Sequence, residues 1–116
     1  MELETLKFEV ADQVATITMD RPKNLNAMSP LMGKELHQAA LAIDNDPDVR
    51  AVIITGAGAV FCAGGDLGEF AAAGDGARKL LMQMTGDLHL AISRLARNAA
   101  PVIAAVNGTA AGAGFS

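Results

Sequence analysis

The sequence predicts an α/β domain in which short strands alternate with helices. Runs of β-branched and apolar residues recur at strand length, and stretches with helical spacing of apolar residues lie between them. Hydrophobic residues make up 51% of the chain but aromatic residues only 3%, so the core must consist of aliphatic side chains. Such side chains favour close packing of helices on a sheet. We therefore expect the element order β-β-α-β-α-α-β.

The first two strands are predicted at Leu6–Glu9 and Val14–Met19, joined by a short turn. In the second strand apolar residues alternate with threonines, which indicates one buried and one more polar face. A loop rich in Pro and Asn follows at residues 20–26. The next helix begins at Ser29 and Pro30, a capping residue and a first-turn proline. Its apolar face consists of residues at helical spacing: Met32, Leu36, Ala39, Ala40 and Ile43.

The second half of the chain continues the alternation. A buried strand is predicted at Ala51–Thr55, a short helix at Leu67–Ala72 and a longer helix at Ala77–Arg97. A second buried strand, Val102–Val106, should lead into the start of a further helix. Strands that alternate with helices favour parallel pairing with right-handed crossovers. The long helix carries one predicted apolar face, formed by Leu81, Met84, Leu88, Ile92 and Leu95.

Length and charge exclude several classes of protein. A chain of 116 residues suits one small domain. The net charge is −4 and no basic run is present, so nucleic acid is not an expected partner. No apolar stretch reaches the roughly 20 residues of a membrane span, and the acidic N-terminal residues do not form a secretory signal. We therefore expect no membrane partner. A single cysteine cannot form an intrachain disulfide, so we expect a cytoplasmic protein.

Two glycine-rich segments follow predicted buried strands. The first is FCAGGDL at residues 61–67, and the second is NGTAAGAGFS at residues 107–116. A strand that breaks into small residues at a helix start exposes backbone N–H groups without partners. Such groups bind a phosphate, a carboxylate or a developing oxyanion, and two such turns can clamp one oxygen between them. Asp66, followed by Glu69, has the spacing of a helix cap, which accounts for it without a catalytic role.

Three segments of the chain together resemble the enoyl-CoA hydratase/isomerase (crotonase) superfamily. The segments at 61–67 and 107–114 look like the two oxyanion-hole segments of that family, and DRPKNLNA at residues 20–27 resembles its first CoA-contacting loop. They occur in the family's order and at its usual spacings. The resemblance implies a crotonase-like spiral of ββα units. Residues 1–116 would form its N-terminal part, with the remainder of the spiral beyond the second oxyanion-hole turn.

The resemblance also implies which residues would serve the site. The backbone N–H groups of Gly65 and Ala113 would form an oxyanion hole that stabilises the enolate of an acyl-CoA thioester. Lys23 would meet a CoA phosphate, although a solvated loop charge is an equally good interpretation. Asn24 and Leu25 would offer main-chain contacts to adenine. Residues beside the two donors would contact the substrate: Ala63, Gly64, Asp66, Leu67 and Gly112.

Ser116 departs from the family pattern. It occupies the position at which hydratases of the family carry a Glu that activates water, and a serine cannot act as a general base near neutral pH. The resemblance therefore favours an enoyl-CoA isomerase over a hydratase, in fatty-acid or related acyl-CoA metabolism, with the acid or base beyond Ser116. It also implies a homotrimer or homohexamer and no cofactor besides the CoA of the substrate.

Two other interpretations of the sequence stay open. One is a catalytically silent oligomer subunit of the same superfamily. The other is a module whose glycine-rich turns bind nucleotide phosphates, although neither the dinucleotide pattern nor a Walker sequence is present. Cys62 is interpreted as a core residue, and His37 and His89 as isolated surface or boundary residues. No spacing of His, Cys and carboxylates predicts a metal site.

Overall fold

The computed structural model describes residues 1–116, and its elements confirm the predicted alternation. Six strands are present: β1 (Leu6–Ala11), β2 (Val14–Met19), β3 (Ala51–Gly56), β4 (Val60–Cys62), β5 (Val102–Ala104) and β6 (Thr109–Ala110). The α-helices are α1 (Pro30–Asp44), α2 (Leu67–Ala72) and α3 (Ala77–Arg97). Short 3₁₀ turns lie at Pro22–Asn24, Gly74–Gly76 and Gly112–Gly114. None of these helices combines the length and apolar character required to cross a membrane.

The main sheet has the strand order β1-β2-β3-β5. β1 and β2 form an antiparallel hairpin, whereas the β2–β3 and β3–β5 pairs are parallel, as the helical crossovers predict. β1 extends two residues further than predicted because the hairpin ladder closes only at the Ala11–Val14 pair. Asp12 and Gln13 form the turn with positive φ angles of 52° and 67°, which is the backbone of a two-residue hairpin loop.

The core lies between this sheet and the helices. In β2 the apolar residues Ala15, Ile17 and Met19 are buried, which confirms the predicted alternation. The predicted apolar face of α1 is buried as well. The Ser29 hydroxyl caps this helix by accepting a hydrogen bond from the Met32 N–H at 3.1 Å. Each buried aliphatic side chain contributes about 1.5–3 kcal/mol, so this layer is the main source of stability.

The apolar face of α3 differs from the predicted one. α3 packs along α1, and this contact buries Met84, Ala91 and Leu95. By contrast, Leu81 and Ile92, two residues of the predicted apolar face, are 38% and 47% exposed. The reason is that packing against one neighbouring helix, α1, covers only a narrow part of the surface of α3. Ala91 lies within the covered part and Ile92 lies outside it.

The strand predicted at Val102–Val106 is shorter than expected and lies exposed. β5 ends at Ala104, and Val102, Ile103 and Val106 are 37%, 52% and 56% exposed. The expectation of a buried strand is therefore wrong for the residues described. β5 is the edge strand of the main sheet, and β3 is its main neighbour in the fold.

A second sheet of two short parallel strands joins β4 to β6. Its Cα partners are Val60 with Thr109 and Cys62 with Ala110, with an irregularity between the two pairs. The sequence pattern did not predict these strands because three and two residues are too few to display a period of two. The pairing brings the chain that follows β4 beside the chain that follows β6. The latter forms a 3₁₀ turn instead of the predicted start of an α-helix.

Candidate active site

The two glycine-rich turns lie against each other. The Ala111 N–H donates a hydrogen bond to the Cys62 carbonyl oxygen at 3.0 Å. Gly64 has a φ angle of +109°, and a Cβ atom there would lie 3.2 Å from the Ala111 carbonyl oxygen, so this position favours glycine for both backbone and space. At Gly114 a Cβ atom would overlap the Cys62 carbonyl oxygen. Close contact of the turns therefore depends on glycine in each of them.

Gly65 offers a backbone N–H that has no acceptor in the chain. Both of its sequence neighbours bond to Met28. The Met28 N–H donates to the Gly64 carbonyl oxygen at 2.6 Å, and the Asp66 N–H donates to the Met28 carbonyl oxygen at 2.9 Å. This parallel bridge leaves the N–H of Gly65 itself unbonded. Gly65 is half-buried, so its free donor is partly shielded from solvent.

Ala113 offers a second backbone N–H without an acceptor. It lies in the 3₁₀ turn Gly112–Gly114, whose internal order is fixed by a hydrogen bond from the Gly114 N–H to the Ala111 carbonyl oxygen at 2.9 Å. Unbonded N–H groups in the first turn of a helical segment attract negative charge. Each of the two adjacent turns thus presents a free donor, and a pair of donors on neighbouring turns is suited to bind an oxygen atom that carries negative charge.

Asp66 caps α2 and also pairs with Arg21. Its carboxylate accepts the Glu69 N–H at 3.1 Å, which confirms the predicted cap, and the Arg21 guanidinium donates to the other carboxylate oxygen at 2.9 Å. Sequence reasoning missed Arg21 because the two residues lie 45 positions apart. Burial alone would raise the pKa of Asp66. The Arg21 hydrogen bond, the Glu69 amide, the Arg21 charge and the Gly68 amide together hold that pKa below its ordinary value.

The loop that resembles a CoA-contacting segment lies beside the first turn. Residues Pro22–Asn24 form a 3₁₀ turn, and the next carbonyl oxygen, that of Leu25, accepts the Ala63 N–H at 3.1 Å. Lys23 is exposed and takes part in none of the ion pairs of the chain. Leu67, at the start of α2, is 79% exposed. The structure thus joins the loop to the first turn through Leu25 and Ala63, while Lys23 and Leu67 face solvent.

An apolar cavity of about 500 Å³ opens beside the second turn. Of its 15 lining residues, 13 are hydrophobic, and the lining comes mainly from both sheets, α1, α3 and the second turn. Ala113 and Ser116 both belong to its wall. The Ser116 hydroxyl donates a long hydrogen bond to the Gly112 carbonyl oxygen at 3.4 Å. An apolar cavity next to a free N–H group has the character of a site for an apolar ligand that carries one polar group.

His89 is a surface residue, as the sequence predicts. It is exposed on α3 and lines a second cavity of about 440 Å³ together with Ser93, Ala113 and Ser116. The sequence gives no signal for this neighbourhood because it depends on how α3 crosses the second turn. His37 is half-buried, as a boundary residue should be, and its Nε2 atom has no hydrogen-bond partner.

Comparison with known proteins decides the family. A family model described as enoyl-CoA hydratase/isomerase matches residues 9–116. The chain belongs to this family. It is 40% identical over 114 residues to a probable enoyl-CoA hydratase of Rhodobacter capsulatus, with 98% of this chain and 42% of that protein covered. It is 37% identical over 113 residues to the 1,2-epoxyphenylacetyl-CoA isomerase of Escherichia coli K12, with 97% and 43% covered.

A solved structure supports the same assignment. The crystal structure of an enoyl-CoA hydratase from Polaromonas sp. JS666 matches with a TM-score of 0.85 at 40% identity, over 95% of this chain and 43% of that one. The predicted membership of the crotonase superfamily and its α/β fold are thereby confirmed. The chain spans less than half the length of these relatives.

Proposed function

We propose that the protein binds acyl-CoA thioesters and stabilises their enolates with the backbone N–H groups of Gly65 and Ala113. The observation that carries this proposal is the pair of unbonded donors on two turns that contact each other. Membership of the enoyl-CoA hydratase/isomerase family supports the choice of substrate class. The apolar cavity beside Ala113 would accept the acyl chain.

Charge development explains why such donors suit a thioester. Removal of a proton from the carbon next to the carbonyl moves an electron pair onto the carbonyl oxygen. Fixed N–H donors stabilise that oxyanion without any reorganisation at the moment of reaction, and the loss of one such donor costs about 3 kcal/mol of activation free energy. Two backbone donors therefore supply a large share of the catalysis without any ionisable side chain.

The loop at residues 22–25 is the proposed CoA contact. Lys23 is exposed and unpaired beside the first turn, so its ammonium group is free to meet a CoA phosphate. Asn24 and Leu25 would bind adenine through their main-chain groups. The walls around the thioester would come from residues adjacent to the donors: Ala63, Gly64, Asp66, Leu67 and Gly112. The proposal requires no cofactor other than the CoA of the substrate.

We infer that the reaction is double-bond isomerisation instead of hydration. Ser116 presents a hydroxyl group, which cannot take a proton from water near neutral pH. Isomerisation needs no water activation: a proton leaves the α-carbon, the enolate is held, and a proton returns at the γ-carbon. One relative carries the name of an isomerase and another that of a probable hydratase, so the inference rests on Ser116. We assign the proton transfer to no residue within 1–116.

Assembly and location complete the proposal. We propose a homotrimer or a pair of trimers, located in the cytoplasm and acting in fatty-acid or related acyl-CoA metabolism. The resemblance to the family supports the assembly, and the single buried cysteine is compatible with a reducing compartment.

The reaction is tested with the full-length protein and paired 2-enoyl-CoA and 3-enoyl-CoA substrates. Conjugation of the double bond with the thioester raises ultraviolet absorbance, whereas hydration of the conjugated substrate lowers it. We expect the 3-enoyl-CoA to gain absorbance and the 2-enoyl-CoA to be hydrated slowly, with Ser116→Glu raising the hydration rate. Fast hydration by the unchanged protein would contradict the choice of isomerase. Calorimetry that detects no affinity for any acyl-CoA would contradict the whole proposal.

A second candidate follows from the same serine. The protein has Ser116 at the position where hydratases of the family carry a glutamate. If it also turns over neither substrate, it would be a catalytically silent subunit. Binding of acyl-CoA without turnover across the panel would favour that function. Measurable isomerisation would exclude it.

A further inference from the structure

Two asparagine side chains, Asn26 and Asn107, hold one backbone turn between them. The turn runs from Gly56 to Val60, between β3 and β4, directly before the strand that leads to the first glycine-rich turn. The Val60 carbonyl oxygen accepts hydrogen bonds from both side-chain amides, at 2.8 Å from Asn26 and at 3.4 Å from Asn107. The first amide comes from the loop before α1 and the second from the connection between β5 and β6.

Asn26 is fully buried and uses both polar ends of its side chain. Its Nδ2 also donates to the Ala57 carbonyl oxygen at 3.0 Å, and its Oδ1 accepts the Arg21 N–H at 2.8 Å. Two residues later, Met28 makes the bridge to the residues on either side of Gly65. The Asn26 amide therefore fixes the β3–β4 turn relative to the segment that carries the first donor.

Asn107 binds the same β3–β4 turn from the connection between β5 and β6. Its Oδ1 accepts the Gly56 N–H at 3.1 Å, and its Nδ2 donates to the Gly58 carbonyl oxygen at 2.9 Å. Strand β6 begins two residues later, and the turn that carries Ala113 follows β6 directly. The Asn107 amide thus fixes the same β3–β4 turn relative to the segment that carries the second donor.

We propose that Asn26 and Asn107 are positioning residues that set the placement of the Gly65 and Ala113 N–H groups relative to each other. The inference rests on the proposed function, because the role is defined toward the oxyanion site. Neither side chain donates to the thioester; both act through the β3–β4 turn. A displacement of about 1 Å at a reacting centre lowers the rate by about 100-fold, so loss of either amide should lower kcat more than it changes KM.

The test compares Asn107→Ala, Asn26→Ala and the double variant in the full-length protein. Asn98→Ala is the matched control: its amide also bridges two elements, donating to Asp44 at 2.6 Å and accepting the Ala100 N–H at 2.8 Å, far from both turns in sequence. Asn107 is exposed and its variant should fold; if Asn26→Ala does not fold, the decision rests on Asn107→Ala and Asn107→Asp. The readouts are kcat, KM, thermal unfolding, and the enolate absorbance of a bound β-ketoacyl-CoA.

We expect each single variant to lower kcat by about 10- to 100-fold, with little change in KM and a weaker enolate absorbance. The double variant should lose less than the product of the single losses, because both amides hold the same turn. Asn98→Ala should keep kcat and the enolate signal. If the unchanged protein forms no enolate, the proposed function fails. If it forms one and the asparagine variants keep kcat at the level of Asn98→Ala, only the positioning inference is overturned.

Discussion

At the residue scale, Gly65 and Asp66 divide two tasks between adjacent positions. The Gly65 N–H has no partner in the chain, whereas Asp66 uses its backbone N–H toward Met28 and both carboxylate oxygens toward Glu69 and Arg21. Full satisfaction of one residue holds the backbone of its neighbour in place. The free donor is therefore rigid, which is the property that an oxyanion site requires.

Glu35, which lies away from the site, is another carboxylate that accepts several hydrogen bonds. Its buried carboxylate accepts hydrogen bonds from the Glu4 N–H at 2.9 Å and from the Thr5 N–H at 2.8 Å, and the Thr5 hydroxyl also donates to it. Burial alone would raise the pKa of Glu35. The Thr5 hydroxyl and the amides of Glu4, Thr5 and Leu6 outweigh burial and lower the pKa from its ordinary value of 4.5. Glu35 therefore fastens the start of β1 to α1.

Glu35→Gln should lower the free energy of unfolding by about 1–3 kcal/mol at neutral pH, since a hydrogen-bonded charge is replaced by an amide whose NH₂ faces donors. A lowered folded pKa means that the stability is complete above the unfolded value and is lost as the pH falls through the folded value. Urea unfolding of both proteins between neutral pH and pH 3 measures this, with Gln38→Ala, on the exposed side of α1, as a control. A constant difference between the curves below pH 4.5 would contradict the account.

Cys62 should behave as a core residue. It is fully buried, and burial raises the pKa of its thiol although the Gly64 amide opposes that rise. We expect a thiol reagent to modify native protein slowly and denatured protein at once, with the released chromophore as the readout. Rapid modification of the folded protein without any loss of activity would show that the Cys62 thiol is accessible to solvent and not part of the core.

The residues that sequence reasoning predicted correctly are those with local signals. Ser29 and Asp66 cap helices whose first amides lie three residues away, so the pattern is visible in a short window. Arg21, Asn26 and Asn107 were missed because their partners lie in other elements. Their side chains carry no periodicity, and only the folded chain brings them to those partners.

At the scale of elements, the short helix α2 depends on its N-terminal residue. It has six residues, too few to be stable by itself, and its first turn is held by Asp66 and Arg21. The helix begins directly after Asp66 and two residues after Gly65, which carries the proposed oxyanion donor. Disorder in α2 would therefore reach the site directly.

Asp66→Ala should destabilise the protein by about 1–2 kcal/mol through the lost cap, with a further loss because the partly buried Arg21 guanidinium loses its carboxylate partner and keeps only the Ala27 carbonyl oxygen. Asp66→Asn retains an oxygen acceptor for the Glu69 N–H and should restore most of the capping contribution. Thermal unfolding of both variants provides the comparison. Equal midpoints for Asp66→Ala and the unchanged protein would contradict the capping role.

Prediction succeeded for the helices, including the six-residue α2, and for the longer strands, and it failed for β4 and β6. α1 and β2 show clear periodicity over 15 and 6 residues, and both were placed from it. β4 and β6 have three and two residues, and their pairing depends on the contact between distant turns. The burial of β5 was wrongly predicted because a run of apolar residues shows only that a strand is able to be buried. It does not show whether another element of the fold packs over that strand.

At the scale of the whole molecule, the two sheets have different roles. The main sheet and α1 supply much of the core, and the small β4–β6 sheet, which adds Phe61 and Cys62 to that core, brings together the two turns with free N–H groups. The element order, the parallel crossovers and the glycine-rich turns follow from sequence patterns. The alignment of the turns follows from glycine contacts and side-chain amides that only the tertiary structure reveals. We propose that this alignment of the two turns stabilises a thioester enolate.

Binding of a β-ketoacyl-CoA to the full-length protein is the decisive test of enolate stabilisation. Such a thioester ionises to an enolate with its own ultraviolet absorbance, and two N–H donors at its carbonyl oxygen should promote ionisation. We expect the enolate band to appear on binding at a pH where the free compound is not ionised, while a saturated acyl-CoA binds without the band. Tight binding with the β-ketoacyl-CoA still in its neutral form would contradict enolate stabilisation.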